Sequence, residues 1–201
     1  MIILIGGAGC TGKTMLAQRL MERYQIPYMS ADHVKMGLVR GWENCPFTPC
    51  DGDETIARYL WPVLEGVVRT NVENEQHLIL EGCYIPPEHA VALEKEFPGI
   101  VFAVYPVFSR EYVMRAYKDG IVAHRSDLEK RGYDEERTPE EIAREHECVC
   151  EVCRKAGARC VEIDDEHAQG MARVIAMTDA FVRAADKRKS EKKFEKSEKN
   201  A

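Results

Sequence analysis

Short apolar runs alternate with longer amphipathic stretches along most of the chain. The apolar runs are rich in Ile, Leu and Val, as expected of strands that are buried on both faces of a parallel sheet. Strands are predicted at residues 2–5, 27–30, 77–82, 100–107 and 159–163. The stretches between them repeat apolar residues at every third or fourth position, the spacing of a helix packed on a sheet. This alternation predicts an α/β fold with a parallel sheet of about five strands in one domain.

Several helix signals refine this picture. Thr138, Pro139 and Glu141 form a capping box with proline at the first helical position, so a helix is predicted over 139–156. Pro62 lies inside the predicted helix 53–71 and indicates either a kink or a break between two helices. Further helices are predicted over 14–24, 88–97 and 109–124, from Asp32 as a cap onwards, and around an apolar stripe from Met171 to Val182.

Two segments lack such periodicity. Residues 41–52 are rich in Gly, Pro, Asn and Asp and are predicted to form a loop, whose Trp42 and Phe47 either cover a substrate or anchor the loop to the core. From Asp186 the chain consists mainly of Lys, Glu and Ser, the composition of a frayed or disordered tail. We therefore expect one domain over residues 1–185 and a charged tail over 186–201.

Composition and charge limit the function classes. The chain has 201 residues, 45% of them hydrophobic, enough for one domain with a substantial core. Its formal charge is −6, and the tail from Asp186 holds seven of the 28 Lys/Arg and four of the 34 Asp/Glu. The body is therefore strongly acidic, which argues against a nucleic-acid partner. The chain begins in a strand and has no apolar run near the ~18 residues of a membrane span, so we expect a cytoplasmic protein without membrane contact.

The first strand leads directly into a glycine-rich loop of the form GxxxxGKT, followed at once by an amphipathic stretch. Glycines let successive backbone N–H groups point at phosphate oxygens, and the following helix adds its unpaired N–H groups and positive end. The motif predicts a nucleoside triphosphate site in which Lys13 contacts the β- and γ-phosphates and the Thr14 hydroxyl binds Mg²⁺. Its residues are Gly7, Ala8, Gly9, Cys10, Thr11, Gly12, Lys13 and Thr14.

The same glycines also satisfy the GxGxxG pattern of dinucleotide-binding proteins. That interpretation requires an acidic residue about 20 positions later, at the end of the second strand, and Asp32 meets the requirement. It does not require Lys13 and Thr14 after the last glycine, and this pair decides for a triphosphate.

Acidic residues follow the second and third predicted strands, at the edge of the sheet where α/β proteins bind ligands. Asp32 is predicted to cap the next helix at this edge, and Glu81 ends the third strand there.

Eight cysteines include the cluster Cys148, Cys150, Cys153 and Cys160, with His146 nearby. The cluster suggests zinc, but its first three members lie within one predicted helix, where four ligands do not converge on one ion. Thiols are therefore expected, with a metal or redox role left open.

On GAGCTGKT near the N-terminus, an acidic residue after the second strand and an arginine-containing stretch before the fifth strand, the chain resembles the P-loop small-molecule kinases. This adenylate-kinase-like group includes shikimate and gluconate kinases, chloramphenicol phosphotransferase, zeta-type toxins and 2-phosphoglycerate kinase. The resemblance covers about residues 1–185. It implies a P-loop NTPase fold with strand order 2-3-1-4-5 and a helical lid after the fourth strand, at about residues 110–138.

The resemblance also implies roles for individual residues. The loop from Gly7 to Thr14 would hold ATP, and Glu81 would bind the acceptor or hold Mg²⁺ through water. Asp32 would contact the acceptor hydroxyl, which must lose a proton, and act as its catalytic base, or else only cap the helix after it. Arg115 and Arg125 are the favoured catalytic cations of the lid, because phosphoryl transfer needs movable positive charge over the phosphate oxygens. Arg110, Lys130, Arg131 and Arg137 are further basic residues in or beyond this stretch.

One departure concerns the acceptor. Adenylate kinases proper carry Asp-Gly-aromatic-Pro-Arg after the third strand, whereas this chain has EGCYIP over residues 81–86 and no arginine. We expect a Mg²⁺- and ATP-dependent kinase of a small hydroxylated or phosphorylated metabolite, as a monomer or homodimer. A nucleotide kinase, a regulatory P-loop NTPase acting on a partner and a toxin-like kinase of a sugar nucleotide remain alternatives.

Overall fold

The computed structural model describes residues 1–124 and 137–198, in which strands and helices alternate. The predicted lid residue Arg125, with Lys130 and Arg131, lies outside the described residues. The strands are β1 (Ile2–Ile5), β2 (Tyr28–Ser30), β3 (Leu78–Glu81), β4 (Val101–Phe108) and β5 (Cys160–Ile163). The helices are α1 (Lys13–Tyr24), α2 (Ala31–Gly41), α3 (Asp53–Glu73), α4 (Pro87–Glu96), α5 (Arg110–Ala116), α6 (Pro139–Ala156) and α7 (His167–Glu198).

The five strands form one parallel sheet in the order β2-β3-β1-β4-β5. The predicted α/β class and the strand order implied by the resemblance are thereby confirmed. Glu81 at the end of β3 is the register partner of both Ile5 in β1 and Ser30 in β2. The segments that follow these three strands therefore start at one edge of the sheet, where ligands of such sheets bind.

Alternate residues of the central strands enter two separate hydrophobic cores, because successive side chains of a strand point to opposite faces. Ile2 and Leu4 pack with α3 and α4 on one face, while Ile3 and Ile5 pack with α1, α5 and α7 on the other. Helix α6 contributes to both cores, with Cys153 in the first and with residues near its N-terminus in the second.

Helix α3 is a single helix of 21 residues that contains Pro62, so the proline does not separate two helices. Pro62 is exposed, while its neighbours Trp61 and Leu64 are buried in the core, and this packing outweighs the proline's unfavourable helix propensity. In the preceding loop Phe47 is buried and stacks on Tyr59, whereas Trp42 is 49% exposed. Phe47 therefore anchors the loop to the core.

The two described ends of the predicted lid have distinct structures. The helix predicted over 109–124 is α-helical only to Ala116 and continues as a π-helix over Tyr117–Val122, which contains the flexible residue Gly120. At the other end the predicted capping box is confirmed. The Thr138 N–H donates to Glu141 Oε2 (2.7 Å), and Thr138 Oγ1 accepts from the Glu141 N–H (3.3 Å).

Helix α7 extends to Glu198 and so includes most of the segment from Asp186, which composition predicted to be frayed or disordered. Lys and Glu favour helices, and pairs such as Lys187–Glu191 (4.0 Å) are spaced to support one. None of the described helices combines the length and the apolar character needed to cross a membrane.

Candidate active site

The predicted phosphate loop connects β1 to α1 and depends on unusual backbone angles. Gly7 and Gly12 have φ of 119° and 81°, which L-residues rarely adopt, and Cys10 has a left-handed φ of 60°. A Cβ at Gly7 would lie 2.6 Å from the Pro106 carbonyl oxygen in β4. Glycine at position 7 is therefore required both by conformation and by the close approach of β4.

Lys13 begins α1 and is only 7% exposed. Its Nζ donates to the Ala8 carbonyl (2.5 Å) and lies 3.5 Å from Thr11 Oγ1, so the ammonium contacts groups of the phosphate loop itself. Burial acts to lower the pKa of Lys13, but Cys83 and Glu81 outweigh it and raise this pKa above its ordinary value. Burial raises the pKa of Cys83 to about 11, so at neutral pH Cys83 is a thiol and the opposing charge belongs to Glu81.

Thr14 and Glu81, the two residues predicted to contribute to a magnesium site, are in contact. Thr14 Oγ1 donates to Glu81 Oε1 (3.3 Å), and Glu81 is 2% exposed. Hydroxyl and carboxylate oxygens suit Mg²⁺, which takes one or two protein ligands and completes its shell with water and phosphate oxygens. The donor set therefore fits this ion. Among the described residues no group of three or more His, Cys, Asp or Glu side chains forms a metal site of its own.

Asp32 lies in the first turn of α2, whereas Ser30 occupies the N-cap position, so the prediction that Asp32 caps this helix is wrong. The helix begins two residues earlier than expected, directly after β2. Asp32 instead forms an ion pair with Lys35 Nζ (2.8 Å), and Lys35 also donates to the Tyr84 hydroxyl (2.8 Å). This pair holds the half-buried carboxylate in a fixed position.

Lys13, Thr14, Asp32 and Glu81 line one cavity of about 730 Å³, which we call the loop cavity. With the phosphate-loop residues Gly9, Cys10 and Gly12, it brings together seven of the predicted site residues from three different parts of the chain. The rest of its lining includes Asp53, Cys83, Tyr84, Phe108, Tyr112, His124, Arg137, Glu145 and His167.

Glu145 on α6 is a site residue that the sequence did not reveal. Its Oε1 accepts from the Gly9 N–H of the phosphate loop (2.8 Å), and its Oε2 pairs with Arg137 (2.5 Å). Burial acts to raise the pKa of Glu145, but the Gly9 N–H and Arg137 outweigh it and keep this pKa below its ordinary value. The Glu145 carboxylate therefore accepts a hydrogen bond from a backbone N–H of the kind that binds phosphate oxygens in such loops.

Asp53, the first residue of α3, is a second residue that was missed, because it was assigned only to a helix start. Burial within the cavity and the nearby Glu145 charge raise its pKa, against the opposing effect of Lys13 and Lys35. The loop cavity thus combines Lys13 and Arg137 with four carboxylates, those of Asp32, Asp53, Glu81 and Glu145.

The end of the cavity beyond Gly12 is aromatic. Phe108 stacks on Tyr112 and on His146, and the ring of His167 meets it edge-on. His167 Nε2 donates to the Thr11 carbonyl (3.0 Å) and so ties the start of α7 to the phosphate loop. His146 accepts the Phe108 N–H at Nδ1 (2.8 Å), and burial lowers its pKa to about 4, so its ring is neutral.

Two of the described arginines of the predicted lid make structural contacts outside the loop cavity. Arg115 donates to the carbonyls of Asp164 (3.0 Å) and Asp165 (2.7 Å), which links α5 to the turn before α7. Arg110 pairs with Glu147 on α6 (2.7 Å). Arg137, at the other end of the predicted lid, is an arginine that lines the cavity.

The cysteine cluster is divided between different surroundings. The Cys160 thiol contacts those of Cys150 and Cys153, while Cys148 is exposed. Burial raises the pKa of Cys150 to about 11, which favours the neutral thiol over the thiolate that a metal needs.

A parallel sheet of order 2-3-1-4-5 with a GxxxxGKT loop after its first strand is the fold of the P-loop small-molecule kinases, as the resemblance implied. Solved structures with this fold include shikimate kinase from Aquifex aeolicus, with 15% identity, a TM-score of 0.54, and 90% and 97% of the two chains covered. Gluconokinase from Sinorhizobium meliloti has 14% identity and a TM-score of 0.51 (94% and 95%). Deoxyadenosine kinase from M. mycoides has 9% identity and a TM-score of 0.50 (90% and 100%). No protein-family model matches the chain, and no curated protein matches it in sequence.

Proposed function

We propose that this protein is a kinase that transfers the γ-phosphoryl group of Mg-ATP to a hydroxyl or phosphate oxygen of a small metabolite. The observation that carries the proposal is the loop cavity, which Lys13, Thr14, Asp32 and Glu81 line together. A triphosphate site alone would serve many activities. A further carboxylate in the same cavity, that of Asp32, favours a reaction with an acceptor.

Each residue has a role that follows from its surroundings. Lys13 keeps its positive charge although it is buried, and it neutralises the charge of the transferred phosphoryl group. Its bonds to Ala8 and Thr11 are within its own loop, so a phosphate oxygen replaces them without a change in the fold. Thr14 and Glu81 would hold Mg²⁺, directly and through a water respectively, and this ion neutralises the β- and γ-phosphate oxygens when it is bound.

Asp32 is the candidate base. In the transfer to a hydroxyl, the acceptor oxygen forms a bond to the γ-phosphorus, the bond to the β-phosphate oxygen breaks, and the hydroxyl proton passes to the Asp32 carboxylate. The products are a phosphate ester and ADP. The ion pair with Lys35 supports this role, because it fixes the carboxylate beside the cavity, and the N-cap position of α2 is taken by Ser30.

ADP release from Mg-ATP tests the proposal when it is measured with a panel of sugars, sugar acids, phosphoglycerates, nucleosides, nucleoside monophosphates and antibiotics. We expect release to rise well above the rate without acceptor for one class. Hydrolysis that no compound accelerates would contradict the kinase and favour a regulatory NTPase. Lys13→Ala protein controls for contaminating ATPases.

A further inference from the structure

A second cavity, of about 630 Å³, adjoins the loop cavity, and we call it the apolar cavity. It lies between α3, the start of α4 and α6, and the phosphate-loop residue Gly7 forms part of its wall. Asp53 and Cys83 line both cavities, so the two spaces meet at these side chains. A molecule in the apolar cavity would therefore have the transferred phosphoryl group at its inner end.

The walls of this cavity suit an apolar body. Trp61 and Tyr105 are almost fully buried at its base, and the Trp61 ring stacks with His89 at 5.7 Å between centroids. The remaining apolar lining residues are Ala57, Pro62, Ile85, Pro86, Pro87, Val149 and Val152. Rigid aromatic and proline surfaces of this kind bind rings and branched aliphatic groups by contact area.

The charged residues of the lining exclude one class of acceptor. Four carboxylates, those of Asp53, Glu54, Glu65 and Glu88, line the apolar cavity, against the single guanidinium of Arg58. A carboxylated or phosphorylated acceptor would bring like charge to this surface, which is costly where water is displaced. An uncharged acceptor carries no such cost, and a cationic one would be attracted.

Two buried polar groups in the same walls lack hydrogen bonds. Trp61 Nε1 and the Tyr105 hydroxyl have no hydrogen-bond partner among the described residues, although both residues are more than nine-tenths buried. A buried polar group left unpaired costs about 1–3 kcal/mol, and both atoms lie beneath the cavity surface. The hydroxyl of the ligand is therefore required by the proposed phosphoryl transfer and not by these two groups.

We infer that the apolar cavity is the acceptor site and that it takes uncharged or cationic hydroxylated compounds with an apolar ring or branched aliphatic body. The inference rests on the proposed kinase function and excludes anionic acceptors such as sugar acids and sugar phosphates. The acceptor hydroxyl passes Asp53 and Cys83 to reach Asp32 in the loop cavity.

Trp61 provides a direct probe of the site, because the chain has only one other tryptophan, the exposed Trp42. In Trp42→Phe protein the emission of Trp61 is measured during titration with three compounds of matched skeleton: phenylpropanediol (neutral), phenylalaninol (cationic) and phenyllactate (anionic). We expect the first two to change the emission and to bind at least about tenfold more tightly than phenyllactate, since like charge opposes the anion. With Mg-ATP, the same two should be phosphorylated.

A matched pair of variants locates the binding. Val152 on α6 and Val63 on α3 are both 38% exposed, but only Val152 lines the apolar cavity. Val152→Phe should weaken phenylalaninol binding about fivefold or more by filling the cavity, and Val63→Phe should leave it unchanged. Nucleotide binding and the melting temperature of both variants report that the fold and the loop cavity are intact.

The outcomes separate the acceptor class from the kinase function. Phenyllactate binding as tightly as phenylalaninol, equal effects of the two valine variants, or no response of Trp61 to any compound would each overturn the acceptor class. Transfer to phenyllactate alone would overturn the class and leave the kinase intact. Binding of phenylalaninol at Trp61 without any phosphoryl transfer would contradict the kinase and leave the ligand class intact.

Discussion

The two adjoining cavities are built in opposite ways. The loop cavity is rich in charged groups, and its phosphate-loop residues come from one contiguous motif in which Lys13 Nζ donates to the Ala8 carbonyl. The apolar cavity has no motif, and Trp61, Tyr105 and Val149 come from three separate elements that also serve the hydrophobic core. The phosphate loop is therefore concentrated in a short sequence, whereas the apolar cavity depends on tertiary packing.

Among the variants that distinguish the two cavities, Lys13→Ala is expected to have the largest effect. Loss of a buried cation from the phosphate loop should reduce phosphoryl transfer about 10²- to 10³-fold, because the charge on the transferred group is no longer neutralised. The response of Trp61 to phenylalaninol should remain, since Lys13 does not line the apolar cavity. Rates from single turnover and Trp61 emission measure the two effects. Lys155→Ala, at an exposed position on α6, is the control, and equal loss in both variants would contradict the role of Lys13.

Asp32→Asn should have a smaller effect than Lys13→Ala and should act on the loop cavity alone. Removal of the general base should cost about 10²-fold in rate, the lower end of such effects, because phosphoryl transfer depends mainly on positioning and charge neutralisation. The binding of ATP and of the acceptor should change little. The measurements are kcat and the dissociation constants of ATP and of the acceptor. Near-normal turnover with an acceptor that is phosphorylated would show that Asp32 only anchors Lys35, the contact that the structure already contains.

The features that the sequence predicts and those that it does not predict divide in a similar way between the two cavities. The parallel sheet, the loop from Gly7 to Thr14 and the positions of Asp32 and Glu81 could be predicted, because strand ends and local motifs are visible in the order of residues. Glu145 could not, since its contact with Gly9 spans 136 positions and depends on how α6 packs. The apolar cavity was equally hidden, because a residue such as Trp61 at helical spacing has the pattern of an ordinary core position.

Glu145→Gln should change the loop cavity in the opposite direction from Lys13→Ala. The Glu145 carboxylate occupies the Gly9 N–H and restrains Arg137, so it competes with phosphate for both groups. Loss of its charge should tighten nucleotide binding about 3- to 10-fold, equivalent to ~1 kcal/mol. Calorimetric titration with ATP measures the change.

A matched control for this variant lies on the same helix. Glu147→Gln removes a carboxylate that pairs with Arg110 at an exposed position, and it should leave nucleotide affinity unchanged. Weaker nucleotide binding by Glu145→Gln would show that Glu145 positions the loop rather than competing with phosphate.

The smallest effect is expected at the start of α6, the helix whose residues line both cavities. Thr138→Ala removes the hydroxyl that accepts from the Glu141 N–H, at a cost of about 1 kcal/mol in the free energy of unfolding and ~2–4 °C in melting temperature. Thr138→Ser keeps the hydroxyl and should retain the stability. If Thr138→Ala lowers the melting temperature and also weakens the binding of both nucleotide and phenylalaninol, then α6 couples the two cavities. Binding in one cavity would then depend on the other, although their residues come from different parts of the sequence.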